Sequence, residues 1–266
     1  MAQMRAHALI ALLAGLLALA GCSTPEKPYV EQPPETLYNN AFDLLQQGRY
    51  QQAADAFDQV EQQHPYSEWA TRAQLMAAYA DYLRNAYDDA VIALDRFIEL
   101  HPGNKDVAYA YYLKGLCYYE QITDVGRDQR NTELALQTFT ELINRFPDTD
   151  YARDARLKVD LTRDHLAGKE MEIGRFYQRR GQYIAAINRF RRVIENYQTT
   201  THVPEALHRL TECYLALGIP DEAQEAAAVL GHNFPGSEWY VDSYELLTGR
   251  NLQPKEKEGS WLSQLF

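Results

Sequence analysis

Cysteine is scarce in this sequence, with 3 among 266 residues, at positions 22, 117 and 213. So few thiols exclude a dense disulfide framework, and no Cys-x-x-Cys pair offers a structural zinc site. Positive charge is also in deficit: 26 lysines and arginines face 37 aspartates and glutamates, for a net charge of −11. A general nucleic-acid binder is normally basic, so this balance argues against nucleic acid as a partner. Enzyme motifs are missing as well: there is no Gly-x-Ser-x-Gly, Walker or Gly-x-Gly-x-x-Gly sequence. His64 and His101 stand immediately before Pro65 and Pro102, where turn roles outweigh catalysis. His202 and His208 are six apart, so they do not share a helical face as a His-x-x-x-His pair of ligands would. The sequence predicts no catalytic residue, no metal and no cofactor.

What is present begins with an apolar run. Arg5 and His7 open a polar start, residues 8–20 are apolar throughout, and the run closes as Leu19-Ala20-Gly21-Cys22. A positive start, a short apolar core and small residues at its end mark a secretory signal peptide. The 13 residues fall short of the ~20 that cross a bilayer as a helix. Ending on Cys, the segment resembles a bacterial lipobox, which predicts a signal peptide over 1–21 and acylation of Cys22. Ser23 follows, where an Asp often marks lipoproteins for inner-membrane retention, so the expected destination is the outer membrane, on its periplasmic face. The expected mature chain carries 25 basic against 37 acidic residues. Residues 23–36 hold four prolines and little apolar content, so 22–36 reads as the acylated cysteine and an extended tether.

Beyond the tether the sequence repeats. Ala53, Ala90, Ala135, Ala186 and Ala223 align at spacings of 37, 45, 51 and 37. Five residues before each stand Gly48, Asn85, Arg130, Gly181 and Gly218. Four after stand Phe57, Leu94, Phe139, Phe190 and Ala227, and twelve after stand Pro65, Pro102, Pro147, Gln198 and Pro235. Gly or Asn allows the positive φ that ends a helix. Ala lets a second helix approach closely, the large residue one turn on shares its face, and Pro stops that helix. Ser67, Asn104, Thr149, Thr200 and Ser237 then stand where they could cap the next helix.

The pattern resembles the tetratricopeptide repeat, whose small first-helix position is filled here by Ala41, Ala78, Gly115, Gly174 and Thr211. The expected fold is all-α, a right-handed solenoid of about five helical hairpins. The repeats fall near 37–66, 71–103, 107–148, 151–198 and 203–236, within a domain spanning 37–249 and followed by a tail, 250–266. Repeat three carries eight extra residues near Ile122–Arg130. Fourteen more fall in 151–169, with a helical pattern that predicts an elongated first helix. Cys117 and Cys213 occupy equivalent positions two repeats apart. At ~8–10 Å between neighbouring helices they lie beyond the ~7 Å reach of a disulfide, so two free, buried thiols are expected.

Such an array displays surface rather than chemistry. The family register places Tyr38, Phe42 and Leu45 in the groove, then Leu75, Tyr79 and Tyr82, then Tyr109, Tyr112, Leu116 and Tyr119. Tyrosine, with 19 copies, supplies apolar contact with a hydrogen-bonding tip. Residues 173–194 carry Arg175, Arg179, Arg180, Arg189, Arg191 and Arg192 without an acid, which marks Arg175, Arg179, Arg189 and Arg192 for partner docking. The tail, ending Trp261-Leu262-Ser263-Gln264-Leu265-Phe266, reads either as a partner-binding helix or as a flap onto the protein's own surface.

A lipobox followed by five such repeats with a long third unit resembles the BamD family of outer-membrane assembly lipoproteins. Asp95-Arg96-Phe97-Ile98, Tyr112-Leu113-Lys114-Gly115-Leu116, Arg145–Tyr151 and Ala185–Phe190 carry the likeness. The resemblance implies a non-enzymatic subunit of the machine that inserts β-barrel proteins, held to the outer membrane by its lipid. It also implies two classes of partner: unfolded outer-membrane β-barrel substrates at the amino-terminal repeats, and a BamA-like barrel subunit, with other assembly lipoproteins, at the carboxy-terminal ones. A pilotin-like lipoprotein escorting a secretin would combine the same features.

Overall fold

The computed structural model describes residues 31–257, 260–262 and 265; the expected signal peptide, Cys22 and most of the tether lie outside them. The described residues form eleven helices and no strand. Five hairpins follow one another: α1 (Pro34–Gln46) with α2 (Tyr50–Gln63), α3 (Glu68–Leu83) with α4 (Tyr87–Leu100), α5 (Val107–Tyr119) with α6 (Arg130–Arg145), α7 (Asp150–Arg179) with α8 (Tyr183–Asn196), and α9 (Val203–Ala216) with α10 (Pro220–Asn233). Helix α11 (Glu238–Thr248) closes the series. Each helix packs on the next along the chain. First helices also meet one another, α1 with α3, α3 with α5, α5 with α7 and α9 with α11, so the solenoid curves toward them.

The turns follow from backbone chemistry. Gly48, Gly181 and Gly218 have φ of 74°, 71° and 73°, and Asn85 has 63°, the left-handed conformation that ends a first helix. Arg130 departs from that column. It opens α6 after the longer loop 120–129, where no left-handed turn is needed. Ser67, Thr149 and Ser237 accept hydrogen bonds from the amides of Ala70, Ala152 and Trp239, as caps should. Asn104 bonds the Asp106 amide one step before its helix, and Thr200 turns its hydroxyl back to the Tyr197 carbonyl, so neither caps as expected.

One column escaped the sequence reading. His64, His101, Phe146, Tyr197 and Phe234 end the second helices with φ between −128° and −136° and ψ between 43° and 60°. A following proline disfavours helical geometry in the residue before it. Tyr197 precedes Gln198 instead and adopts the same conformation, so the ring's own seat holds the turn too. His64 donates through Nε2 to the Gln32 carbonyl at 2.7 Å, and His101 Nε2 meets Gln74 Oε1 at 2.9 Å.

The small-residue columns are the packing seam. Ala41, Ala53, Ala78, Ala90, Ala135, Ala186, Thr211 and Ala223 have no exposed surface, nor do Phe57, Leu94, Phe139 and Phe190. A Cβ on Gly115 would enter the Phe139 ring, and one on Gly174 the Phe190 ring. Cys117 and Cys213 are free and buried in different parts of the core, and burial pushes both thiols up to about 12. The insertion in repeat four lengthens its first helix, α7, to 30 residues. Of the two readings of the tail, the structure shows the flap. Leu262 is fully buried in the core of the last two repeats, and Trp261 packs beside it.

Candidate functional site

The inner helices bring tyrosines together across repeats. On α3, Tyr79 and Tyr82 stack with ring centroids 6.5 Å apart, and Tyr87 at the start of α4 lies 5.8 Å from Tyr82. On α5, Tyr109 and Tyr112 each lie 5.4 Å from Tyr151, in the first turn of α7. Tyr119 packs edge-on to Phe139 and carries the Lys158 ammonium 5.3 Å from its ring centre. Burial raises the pKa of Tyr82 to about 12, with smaller contributions from Glu120 and neighbouring phenols. It raises those of Tyr109 and Tyr112 further, the latter also because its hydroxyl donates to Asp154 at 2.6 Å. This face is aromatic, presents phenolic hydroxyls and is flanked by Lys158 and Asp154.

Not all the expected groove residues reach it. Phe42 is exposed, and Tyr79 and Leu116 are half-buried. Leu75 and Leu45 are each only 8% exposed and belong to the core, which corrects their assignment to the groove. The reason is helical geometry. Leu45 lies one turn after Ala41 and Leu75 one turn before Ala78, and each joins the same core cluster as that alanine. Tyr38 occupies the same inward position and packs its ring against Phe57 and Trp69, at 5.3 and 5.0 Å. Tyr151 is the groove residue that the register missed. It opens the stretch 151–169, whose extra residues displace repeat four from the common spacing.

The arginines are not the bare cationic step that their own segment suggests. Acids from outside residues 173–194 reach most of them. Arg175 contacts both oxygens of Glu205 at 3.0 and 2.9 Å. Arg189 and Arg192 share Glu170, at 3.1 and 3.4 Å, and Arg191 pairs with Glu195 at 2.9 Å. Arg180 lies 4.6 Å from the Phe176 ring centre. Arg179 is exposed at the end of α7, and the Arg192 side chain is 54% exposed despite its pairing. Arg175 and Arg189 are therefore internal bridges first, because folding brings helices from outside the segment alongside it.

A polar network fills the inner face of the last repeats. Arg209 lies between Glu205 at 3.3 Å and Glu212 at 2.7 Å, Gln178 donates to Glu212 at 2.8 Å, and His208 Nε2 faces that carboxylate at 3.6 Å. His208 Nδ1 meets the Ser243 hydroxyl at 2.8 Å, which ties α9 to α11. Burial opposes ionisation of Glu212, but the contacts from His208, Arg209 and Gln178 outweigh it and hold the pKa down to about 2. The inner surface thus changes character, from phenols on α3, α5 and α7 to ion pairs on α7 and α9, tied to α11 through Ser243.

The family model for an outer membrane lipoprotein, YfiO, matches residues 30–230. The outer membrane protein assembly factor BamD of Caulobacter vibrioides is 51% identical over 256 residues, 95% of this chain and 84% of its own. The chain belongs to the BamD family. The BamD of Rickettsia prowazekii is 50% identical over 90% of this chain and 96% of its own, and that of Neisseria meningitidis serogroup A is 35% identical over 86% and 92%. Membership in the BamD family makes the chain an outer-membrane protein assembly factor, associated with that membrane and with an assembly machine.

Proposed function

We propose that the chain is the non-catalytic, lipid-anchored subunit of the outer-membrane assembly machine that holds substrate segments on its tyrosine face while its carboxy-terminal repeats dock on the barrel subunit. The observation that carries this reading is the run of phenols from Tyr79 to Tyr151. Five of them lie on three successive inner helices, as a stacked pair on α3 and a cluster of Tyr109, Tyr112 and Tyr151 across α5 and α7. Rings packed on one another have little freedom left to lose, and each pairs a broad apolar face with a hydroxyl. That combination suits an extended, amphipathic segment of an unfolded β-barrel protein. Cys22 supplies the anchor, and residues 22–36 set the distance between bilayer and repeats. For docking, Arg179 and Arg192 are the arginines free enough to meet partner carboxylates. The test is titration of a peptide from the carboxy terminus of an outer-membrane β-barrel protein. Tyr79→Ala with Tyr82→Ala should weaken binding at least tenfold at unchanged helicity, and unaltered affinity would refute the groove.

A further inference from the structure

The tail holds a seat on the outer side of repeats four and five. After α11 the chain turns back across α10: the Lys255 amide donates to the Gln224 carbonyl at 3.1 Å, and the Gln224 side chain donates to the Gln253 carbonyl at 2.7 Å. The Lys257 ammonium pairs with Glu222 at 2.5 Å. Trp261 then lies under the Arg191 guanidinium, 4.1 Å from its ring centre, and Leu262 enters the core with no exposed surface. Between these anchors and α10 a cleft of about 320 Å³ is bounded by Asp221, Gln224 and Lys255–Lys257. The polar half thus leaves a cleft against α10, whereas Leu262 fills its seat completely. Nothing covalent beyond the chain connection holds the segment, and no regular secondary structure forms in 252–257.

We propose that this seat is a peptide-binding site, occupied in cis by the tail, whose partner is a segment with a lysine followed four and five residues later by Trp-Leu. Glu222 selects the cation, the Arg191 guanidinium caps the indole, and the Leu262 pocket fixes register. Pocket-filling anchors with charge selection at the rim are how short peptides are read. A tethered ligand competes at an effective concentration in the millimolar range for short flexible linkers, so a partner peptide gains the seat only when it binds tightly or when the tail is displaced. The proposal is independent of the tyrosine groove, which lies on the inner helices.

The experiment uses the full-length chain and a labelled peptide of residues 250–266. Trp261→Ala with Leu262→Asp in the chain should empty the seat, so the peptide binds this variant at least tenfold more tightly than the parent. The same two changes placed in the peptide should abolish binding. A second measurement needs no variant protein. Excess peptide, with arginine at 255 and 257 so that a lysine-specific protease spares it, should speed cleavage of the parent chain at Lys255 and Lys257. Equal affinity for both chains, or no acceleration of cleavage, overturns the proposal. Concentration-dependent dimerisation of the parent through exchanged tails would assign the seat to a second copy and overturn it equally.

Discussion

Gly174 shows how little room the repeat seam leaves. Its missing side chain is replaced by the edge of Phe190, a ring with no exposed surface of its own and so no direction in which to yield. Gly174→Leu should cost about 1–3 kcal/mol through overpacking, read as a lower thermal midpoint, and an unchanged midpoint would contradict this packing. Because each hairpin contacts only its neighbours, exchange protection should fall first in repeats three to five. Glu212 sets a different residue-scale test. Its folded pKa, near 2, lies below the ordinary 4.5, so its carboxylate adds stability that is full above pH 4.5 and lost as pH falls toward 2. Glu212→Gln should remove that part of the acid dependence, so melting of parent and variant should converge as the solution is acidified. Parallel curves would mean that the network does not couple to folding. The buried columns were legible in the sequence because burial recurs with the repeat. Leu75 was misplaced because the groove register was transferred by likeness, without asking which positions share the face of Ala78.

Helix α7 carries the element-scale lesson. Its length was visible as an insertion without proline, and the structure gives 30 residues in one helix. Its partnerships were not visible, because Glu170 on α7 answers arginines about 20 positions further along the chain, on α8. A count of charges within one window cannot see a pair made across a hairpin. Reversing Arg189 therefore touches the fold as well as any docking surface. Arg189→Glu would set a carboxylate against the part-buried Glu170, so it should lower the thermal midpoint, whereas Arg192→Glu, on the more exposed side chain, should lower it less. Adding Glu170→Arg and Arg192→Glu to Arg189→Glu restores opposite charges at both contacts and should recover most of the loss. Failure of that exchange to rescue stability would show that the α7–α8 bridge contributes nothing measurable, as many exposed pairs do.

Across the whole molecule the proposed roles separate: lipid at Cys22, phenols on the inner helices of repeats two to four, arginines and the tail toward the carboxy terminus. In the sequence the proline-rich stretch 23–33 stands between Cys22 and α1, so Cys22→Ser should leave a helical, folded protein that no longer fractionates with outer membranes when its partners are absent. Retention there would remove the lipid assignment. The stronger test crosses two variants with two assays. Arg179→Glu with Arg192→Glu avoids the internal bridge at Arg175 and the tighter of the two contacts to Glu170. It should spare the fold while placing carboxylates where a partner is expected to present its own, and like charges across an interface are costly. Pull-down of the barrel subunit should weaken, more so at low salt where charge is least screened, while peptide titration on the same protein stays within error of the parent. Tyr79→Ala with Tyr82→Ala should give the converse. The rings of that pair stack on each other at 6.5 Å and lie two repeats from α8, so their loss has no direct route to the docking face. If both variants fail in both assays, substrate holding and docking are one surface and the division proposed here is wrong. If the arginine variant binds the barrel subunit unchanged, docking belongs to other residues of the last repeats, and the exposed arginines are only a solvated face.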